Sequence, residues 1–321
     1  MKSFLILGLN LIVLIANVSA LAQNTVRLSI ATGGTGGIYY PIGSGLAGLI
    51  SKHVPNVQAT AEVTSASIDN CLLLNGGKTD LALAVADTAW DAYQGRGKRF
   101  REKVPVRTVA AVYPVFMHLV ALENRGIEKV TDLKEKAVST GAPGSWTELT
   151  SARILEAVGL NPDKDMKRFR LGPSESSANL RGKKMDAYFW GGGIPSASVT
   201  DLATSLGGKI KLIPLGDAVS LMKEKHAAAY VKGSIPARTY PVQDLAIPTL
   251  LVWNLLVCHE KMGDDIVYRI VKSIFEHGPE LVSVQREARF LTLEAQSEGV
   301  SPIPYHPGAA RYLGERGIRA R

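Results

Sequence analysis

Three glycine-rich stretches of the chain could bind an anion through main-chain N–H groups. They are "GGTGG" (33–37), "GAPGSWT" (141–147) and "WGGGI" (190–194), and each follows a strand pattern and precedes a helical one. Glycine lets a ligand approach the main chain closely, and a helix N-terminus offers unpaired N–H groups and a partial positive charge. Tight turns without a ligand are the alternative for any single stretch. Three such stretches in one chain favour a binding cleft.

Motifs that would indicate catalysis or cofactor binding fail on their spacing. The stretch "GGKT" (76–79) resembles the end of a P-loop, but Leu72 stands where that loop needs its first glycine. Tyr39 takes the place of the third glycine of a dinucleotide-binding motif. The sequence contains no G-x-S-x-G motif, and its six histidines do not cluster at zinc-ligand spacing. We therefore expect no catalytic residue, no metal and no cofactor.

Strand and helix patterns alternate along the chain. Residues 26–30 alternate between apolar and polar as in a strand, and the apolar residues of 42–54 recur at helical spacing. A second alternating strand covers 57–64, a further helix 68–75, and "LALAVA" (81–86) has the composition of a buried strand. This order predicts an α/β fold with a largely parallel sheet. In such sheets ligands bind beyond the carboxyl ends of the strands, where the glycine stretches lie.

The second and third glycine stretches carry signals for helix ends. Ser145 and Glu148 have the spacing of a capping box, and Gly159 is placed to end the helix that they begin. Pro195 suits the first turn of the helix that follows the third stretch. These signals predict helices that start at the glycine stretches.

The N-terminal residues predict a secretory signal peptide. Lys2 supplies a positive charge, an apolar run follows it (4–18), and cleavage is expected near Ala20 or Ala22. The run is shorter than a typical membrane span, although an uncleaved anchor is the alternative. We therefore expect a periplasmic protein. Removing residues 1–22 from the 321 leaves 299, which suits two domains better than one.

The charge of the chain does not indicate binding to nucleic acid. The formal net charge is +8, and it becomes +7 without Lys2. Basic residues are scattered among acids, and the one dense run, "RGKRFREK" (96–103), is typical of a solvated loop. The positive balance would help to attract an anionic ligand or an acidic partner. Cys71 and Cys258 each lie in an apolar run, so we expect them to be free and buried rather than paired.

Five separated stretches, taken together and in order, resemble the TRAP-associated extracytoplasmic immunogenic (TAXI) proteins. The likeness continues through "PIPYHPGAARYLGERG" (302–317) and so covers nearly the whole mature chain. TAXI proteins are solute receptors of one class of tripartite ATP-independent periplasmic (TRAP) transporter. The five stretches are "ATGGTGGIYYPIGSGLA", "EVTSASIDNCLLLNGGKTDLALAVADTAWDAYQG", "GAPGSWTELTSARIL", "DAYFWGGGIPSASVTDLA" and "IPARTYPVQDLAIPTLLVWNLLVCHE".

The resemblance implies an α/β, two-domain periplasmic binding protein of the Venus flytrap kind, type II-like, with hinge strands. The long apolar stretches 112–122 and 247–257 are expected to cross between the domains. Domain I would hold residues 23–116 and 250–321, and domain II residues 117–249. The implied ligand is a small carboxylate or amino acid, similar to glutamate, glutamine or 2-oxoglutarate. The implied partners are TRAP-type integral membrane subunits, and we expect the receptor to be a monomer.

Twelve candidate ligand contacts lie in domain I, at the ends of its first three strands. The glycine stretch would supply main-chain donors and a hydroxyl, two tyrosines a wall, and the ends of the next two strands hydroxyls and a carboxylate. The candidates are Gly33, Gly34, Thr35, Gly36, Gly37, Tyr39, Tyr40, Thr64, Ser65, Ser67, Asp87 and Thr88.

These candidates have structural alternatives. Tyr39 and Tyr40 could equally pack against the opposite strand. The hydroxyls after the second strand could cap the helix that begins near Ile68. Asp87 could accept the amino group of an amino-acid ligand, but a cap of its own helix is slightly preferred.

Eight further candidates lie in domain II, at the second and third glycine stretches, and residues 191–194 of the third are expected to form a loop with Trp190 at its base. Proteins of the TAXI family usually have Gly-Ser-Gly-Thr where this chain has Gly-Ser-Trp-Thr (144–147). The indole of Trp146 could fill space in the cleft or stack on a flat ligand. Ser145 could cap its helix and still leave N–H groups free, and Trp190 could belong to the core, although the glycines beside it favour the cleft. The eight are Ser145, Trp146, Thr147, Trp190, Gly191, Gly192, Gly193 and Ile194.

We expect neutral hydrogen-bond donors to bind the ligand. These are loop N–H groups and the hydroxyls of Thr35, Ser145 and Thr147. Arg153 and Arg181 lie outside the glycine stretches, and their helical positions suggest solvent. A periplasmic ligand-sensing module is the alternative function, and a secreted hydrolase or an adhesive surface protein is less favoured.

Overall fold

The structure, a computed structural model, describes residues 25–320 except 36–37, 97–98, 144, 227–228, 242 and 298. The predicted signal peptide lies outside the described residues. Across the described part of the chain, no helix combines the length and the apolar character that a membrane crossing needs.

The described residues form strands and helices in alternation. The strands are β1 (Val26–Ala31), β2 (Val57–Glu62), β3 (Leu81–Val85), β4 (Val106–Leu122), β5 (Ala137–Ser139), β6 (Lys167–Phe169), β7 (Ala187–Gly192), β8 (Ile210–Leu212), β9 (Val231–Ile235) and β10 (Ile247–His259). The α-helices are α1 (Tyr39–His53), α2 (Ser67–Asn75), α3 (Ala86–Gln94), α4 (Trp146–Ala157), α5 (Pro173–Arg181), α6 (Ala197–Leu206), α7 (Ala218–Lys225), α8 (Asp264–Glu276), α9 (Gly278–Val284) and α10 (Pro307–Glu315).

These strands join one mixed sheet. Its order is β2-β1-β3-β10-β4-β7-β5-β6, with β8 paired to β4 and β9 paired to β10. In half-sheet A (β1, β2, β3), β1 is parallel to both neighbours. In half-sheet B (β5, β6, β7), β5 is parallel to both neighbours. The predicted α/β class is confirmed, but the prediction of a largely parallel sheet is wrong, because β4 and β10, which join the halves, are antiparallel to all their partners.

Two long strands, β4 and β10, run through both half-sheets. They pair with each other from Leu251–Phe116 to His259–Val106. The C-terminal part of β10 also pairs with β3, and the C-terminal part of β4 pairs with β7. The apolar stretches 112–122 and 247–257 are therefore crossing strands, as predicted. The domain limits near residues 116 and 250 stay a prediction.

Helices cover both faces of the sheet, which explains why the crossing strands are so apolar. Successive side chains of a strand point to opposite faces, and β10 shows the result. Leu255 and Val257 enter the core beneath α2, α3, α4 and α7, whereas Leu256 and Cys258 enter the core beneath α1, α8 and α10. Cys71 lies in the first of these cores, and both cysteines are free and buried, as predicted.

The helix N-termini gather where the two half-sheets meet. Each strand of the two half-sheets is followed by one helix. In half-sheet A, α1 follows β1, α2 follows β2 and α3 follows β3. In half-sheet B, α4 follows β5, α5 follows β6 and α6 follows β7. Because the strands within each half-sheet are parallel, their carboxyl ends and the helix starts lie at one edge. Trp146, the first residue of α4, donates a hydrogen bond to Asp87 in the first turn of α3. The two edges therefore face each other.

Two predictions about the third glycine stretch are wrong. Gly191 and Gly192 are not loop residues, because the ladder between β7 and β4 continues past Trp190 and includes them. Pro195 does not lie in the first helical turn, since it precedes Ser196, the N-cap of α6. Glycine and proline signals locate a helix start only to within a few residues.

Gly308 and Gly314 of α10 provide a matched test of the packing between α10 and α8. A Cβ on Gly308 would overlap the carbonyl oxygen of Asp264 and lie 2.9 Å from the nitrogen of Tyr268, whereas a Cβ on Gly314 meets nothing within 4 Å. We expect Gly308→Ala to lower the free energy of unfolding by about 1–3 kcal/mol. Gly314→Ala should raise it by about 0.5–1 kcal/mol through helix propensity. Urea denaturation measures both changes, and equal effects would contradict this packing.

Candidate ligand-binding cleft

The first glycine stretch lies against the turn that follows β2. Gly33 is buried, and a Cβ at its position would be 3.4 Å from Cβ of Tyr39 and 3.5 Å from Cβ of Ala66. Gly34 and Thr35 are exposed. The candidates Gly36 and Gly37 lie outside the described residues. Gly34 and Thr35 are therefore accessible to a ligand at the start of α1.

Tyr39 joins α1 to the crossing strand β10. Its hydroxyl donates to Oδ1 of Asn254 at 2.6 Å and lies 3.2 Å from Oγ of Ser67. Its ring meets Tyr113 edge-on at 6.5 Å. Burial raises the pKa of Tyr39 well above its ordinary value. Tyr39 thus packs against a neighbouring strand, while Tyr40 is half-buried.

The hydroxyls after β2 hold the turn between β2 and α2. Thr64 Oγ1 accepts from the N–H of Ala66 at 3.1 Å, and Ser67 Oγ accepts from the N–H of Val85 at 3.1 Å. Ser65 is exposed. The N-cap of α2 is Ala66, and none of the described side chains caps this helix, so the capping alternative is wrong. The reason is that Ser67 already lies inside the helix and turns its hydroxyl to β3.

Asp87 is a completely buried carboxyl group in the first turn of α3. Its Oδ1 accepts from the N–H of Thr88 at 2.7 Å, and Thr88 is itself buried. Its Oδ2 accepts from the indole N–H of Trp146 at 2.9 Å and from the hydroxyl of Tyr230 at 3.1 Å. Trp146 and Tyr230 belong to the part of the chain predicted as domain II. Asp87 of half-sheet A is therefore hydrogen-bonded to side chains of the opposite half of the molecule.

The electrostatics of Asp87 reflect burial and its neighbours. Burial raises the pKa of this carboxyl group, and the guanidinium of Arg153, 3.6 Å from Oδ2, opposes that shift. The N-cap of α3 is Val85, so the predicted cap by Asp87 is wrong. Asp87 lies two residues past the N-cap, too far into the helix for that role, and its Oδ2 is directed to Trp146 of α4 instead.

The expectation that Arg153 faces solvent is wrong. Its side chain is 17% exposed, Nη2 lies 3.1 Å from Oδ2 of Asp91, and Nη1 donates to the hydroxyl oxygen of Tyr230 at 2.8 Å. Burial works against the charge of Arg153, but Tyr230, Asp87 and Asp91 together raise its pKa above the ordinary value. Helical spacing alone cannot show that this face of α4 meets α3. Arg181 is exposed, as predicted.

Trp146 occupies the space between α3 and β7. A Cβ on Gly191 would lie 2.7 Å from Cε3 of the indole, so this position in β7 must be glycine for the ring to fit. The N–H of Gly191 donates to Oγ1 of Thr147 at 3.2 Å, and Thr147 is buried. That hydroxyl and that N–H group are therefore paired with each other here.

Ser145 caps α4, as predicted. Its Oγ accepts from the N–H of Glu148 at 3.1 Å. At the other end Gly159, with φ of +85°, follows the C-cap Val158. The first N–H groups of an α-helix have no partner within the helix. The cap therefore coexists with main-chain donors at the start of α4.

A second buried carboxylate, Glu287, is not among the residues that the sequence predicts for the site. It lies in a 3₁₀ turn (Arg286–Phe290), is 3% exposed, and has Nε of Arg286 at 3.1 Å and the amide of Gln285 as partners. A Cβ on Gly193 would lie 3.2 Å from its Oε1. No periodicity or motif marks this turn in the sequence, so only the fold shows that it meets the third glycine stretch.

The same turn holds the main chain that follows β7. Arg289 donates to the carbonyl of Ile194 at 3.2 Å, and Arg286 to that of Pro195 at 3.0 Å. Trp190 packs on the core between β7 and α6, and a Cβ on Gly192 would meet its indole at 2.7 Å. These contacts support the core alternative for Trp190.

A buried histidine fixes the third glycine stretch to β4. Nδ1 of His118 lies 3.0 Å from the carbonyl oxygen of Phe116 and 3.2 Å from that of Trp190, so Nδ1 carries the proton. Nε2 then accepts from the hydroxyl of Tyr240 at 2.8 Å, and Tyr240 accepts from the N–H of Ser196 at 2.9 Å. Burial lowers the pKa of His118 to about 4 and keeps the ring neutral at pH 7.

Helix starts from both half-sheets lie at the edge where Trp146 contacts Asp87. Helix N-termini from both sides supply partial positive charge and main-chain donors. Asp87 and Glu287 are already paired with donors of the chain. Among the described residues, no group of three metal-ligating side chains lies at this cleft.

Comparisons with known proteins agree with this architecture. The structure is similar to XAC2383 from Xanthomonas citri, solved with bound ATP, at 9% identity and a TM-score of 0.54, covering 90% of this chain and 94% of that one. It is also similar to the putative sulfonate ABC transporter protein SsuA, a periplasmic sulfonate-binding protein from Methylobacillus flagellatus KT. The identity is 16% and the TM-score 0.50, covering 93% of this chain and 89% of that one.

The family of the chain follows from a separate comparison. The model of the NMT1-like family matches residues 30–317, and the chain belongs to that family. At such low identities the structural likeness shows the fold alone. That fold is the α/β, two-domain architecture of periplasmic binding proteins with hinge strands, as predicted.

Asp87 and Asp91 lie on the same helix beside the same arginine but differ in burial. Asp87→Ala removes the acceptor of Trp146 and Tyr230, and we expect it to lower the free energy of unfolding by about 3–5 kcal/mol. Asp91 is 21% exposed, and Asp91→Ala should cost about 1 kcal/mol or less. Urea denaturation measures both losses, and similar values for the two variants would contradict the position assigned to Asp87.

Proposed function

We propose that this chain is an extracytoplasmic solute-binding receptor. It captures a small organic anion or amino acid in the cleft between the half-sheets and delivers it to a membrane transporter. The observation that carries the proposal is the set of helix N-termini that face each other across the cleft, with Trp146 of α4 bonded to Asp87 of α3. Such an edge of an α/β sheet is where ligands bind.

The affinity that neutral donors can provide is sufficient for a receptor. A hydrogen bond to a charged acceptor contributes about 1.5–3 kcal/mol. About four such bonds would support micromolar binding after the entropic costs. The donors that we propose are the N–H groups at the starts of α1 and α4 and the hydroxyls of Thr35 and Ser145.

Trp146 sets the size of the ligand in this proposal. Its indole fills the space beside Gly191 and is held there by Asp87. Of the two roles expected for this indole, the structure favours filling of the cleft over stacking on a flat ligand. The ligand would then be smaller than glutamate or 2-oxoglutarate, because a receptor with glycine at this position has more room.

The transporter that we propose as partner is of the TRAP type, on the resemblance of five stretches to TAXI proteins. The proposal includes export to the periplasm after removal of residues 1–22, a monomeric state, and hinged domains formed by residues 23–116 with 250–321 and by 117–249. SsuA from Methylobacillus flagellatus KT is described as a sulfonate-binding protein of an ABC transporter. Sulfonates therefore belong among the ligands to be tested.

A thermal-shift screen of the mature, ligand-stripped protein tests this function. The panel holds glutamate, glutamine, 2-oxoglutarate, C4-dicarboxylates, short hydroxy acids, neutral amino acids and alkanesulfonates, with calorimetry on each hit. We expect a short acid to stabilise the protein by about 2.7 kcal/mol at a hundredfold excess over its Kd. No shift across the panel would contradict the proposed ligand class.

Two variants of α4 sharpen the screen. Trp146→Gly introduces the glycine that TAXI proteins usually have at this position. We expect this variant to bind the larger acids, such as glutamate, more tightly relative to the short acid. Leu149→Ala, at an exposed position of the same helix, is the matched control and should leave this ratio unchanged. An unchanged ratio in Trp146→Gly would show that the indole does not limit the ligand.

A further inference from the structure

Two of the six histidines, 224 positions apart in the chain, stack on each other at the surface. His53 lies in the last turn of α1, and His277 directly follows α8. Their ring centroids are 3.5 Å apart with an interplanar angle of 6°. The expectation that the histidines do not cluster is therefore wrong. It considered spacing along the chain, and this pair forms only when α8 packs beside α1.

A carboxylate completes the cluster. Oε1 of Glu280, in α9, lies 2.9 Å from Nε2 of His53. One ligand atom from each of His53, His277 and Glu280 lies within 4.8 Å of the others. Imidazole nitrogen and carboxylate oxygen are ligands of zinc, copper and nickel ions. In a tetrahedral zinc site, bonds of about 2.0–2.2 Å place the ligand atoms roughly 3.3 Å apart, so binding would require the cluster to contract and one ring to rotate out of the stack.

The backbone favours a cation at the same place. The C-termini of α1 and α8 both end at the cluster, at His53 and His277. Each helix C-terminus carries a partial negative charge of about half an elementary charge. The start of the short helix α9 opposes this, but Glu280 lies in its first turn and supplies a negative charge there. Lys52, 3.0 Å from Oε2 of Glu280, is 63% exposed and competes only weakly for the carboxylate.

We propose that His53, His277 and Glu280 bind one divalent transition-metal ion of the zinc class. The ion would join the C-terminal end of α1 to the junction of α8 and α9. Tyr39, at the other end of α1, follows the first glycine stretch and bonds Asn254 of β10, and a helix of 15 residues is about 22 Å long. The metal site is thus separate from the proposed ligand site, and either can exist without the other.

Calorimetric titration of the metal-stripped full chain with Zn²⁺ tests this site. We expect one equivalent to bind, and His53→Ala and His277→Ala each to weaken binding by at least about tenfold. His259→Ala, which removes a half-buried histidine outside the cluster, is the control and should have no effect. Lys52→Ala should not weaken binding, because it frees Glu280.

Electron paramagnetic resonance with Cu²⁺ adds a readout of the ligands themselves. The native chain should show two imidazole nitrogens on the copper, and His277→Ala should show one. The absence of Zn²⁺ binding to the native chain would overturn the proposal. Binding that survives both histidine variants would overturn it as well, since the ion would then lie elsewhere.

Discussion

The contact between the two half-sheets depends on one buried carboxylate, Asp87. This group accepts hydrogen bonds from side chains of the opposite half. Asp87 begins α3 in half-sheet A, yet its Oδ2 is satisfied by Trp146 and Tyr230 from the opposite side. An unpaired carboxylate in the protein interior would be strongly unfavourable. The two sides must therefore either stay together or let water reach Asp87. A closed cleft would satisfy Asp87 with Trp146 and Tyr230, and an open cleft would satisfy it with water. A ligand that binds one of these two conformations better will shift the population towards it.

The crossing strands β4 and β10 join the two half-sheets, and the core beneath α2, α3, α4 and α7 extends under both of them. Their ladder has two register shifts, between Asn254 and Leu255 and between Leu256 and Val257, and each half-sheet is bonded to a different part of it. Contacts that cross the cleft are made instead by side chains and helix ends. Among them are Asp87 with Trp146 and Arg289 with the carbonyl of Ile194. Because these contacts are hydrogen bonds, water can take their place when the halves separate, so closure and ligand binding can be coupled.

Local patterns predicted the elements well, and the long-range contacts poorly. The alternation of strands and helices, the crossing stretches and the cap at Ser145 depend on neighbouring residues, and they could be predicted from composition and spacing. The roles of Arg153 and Glu287 depend on which helix or turn lies opposite, which no local pattern contains. The pair of His53 and His277 is the extreme case, since its members come from opposite ends of the chain. Pro195 shows a different limit, because a proline signal does not locate a helix start to the residue.

The distance between the two sides of the cleft tests the central claim most directly. Spin labels on cysteines introduced at Glu224 of α7 and Lys272 of α8, both exposed, would report it by pulsed electron resonance. Cys71 and Cys258 are buried, and burial raises the pKa of the Cys71 thiol to about 12, so labelling would be selective. We predict one narrow, short distance in the native background and a broader, longer distribution in a folded Asp87→Ala background. Identical narrow distributions in both would contradict the account, because the halves would then be held together without Asp87.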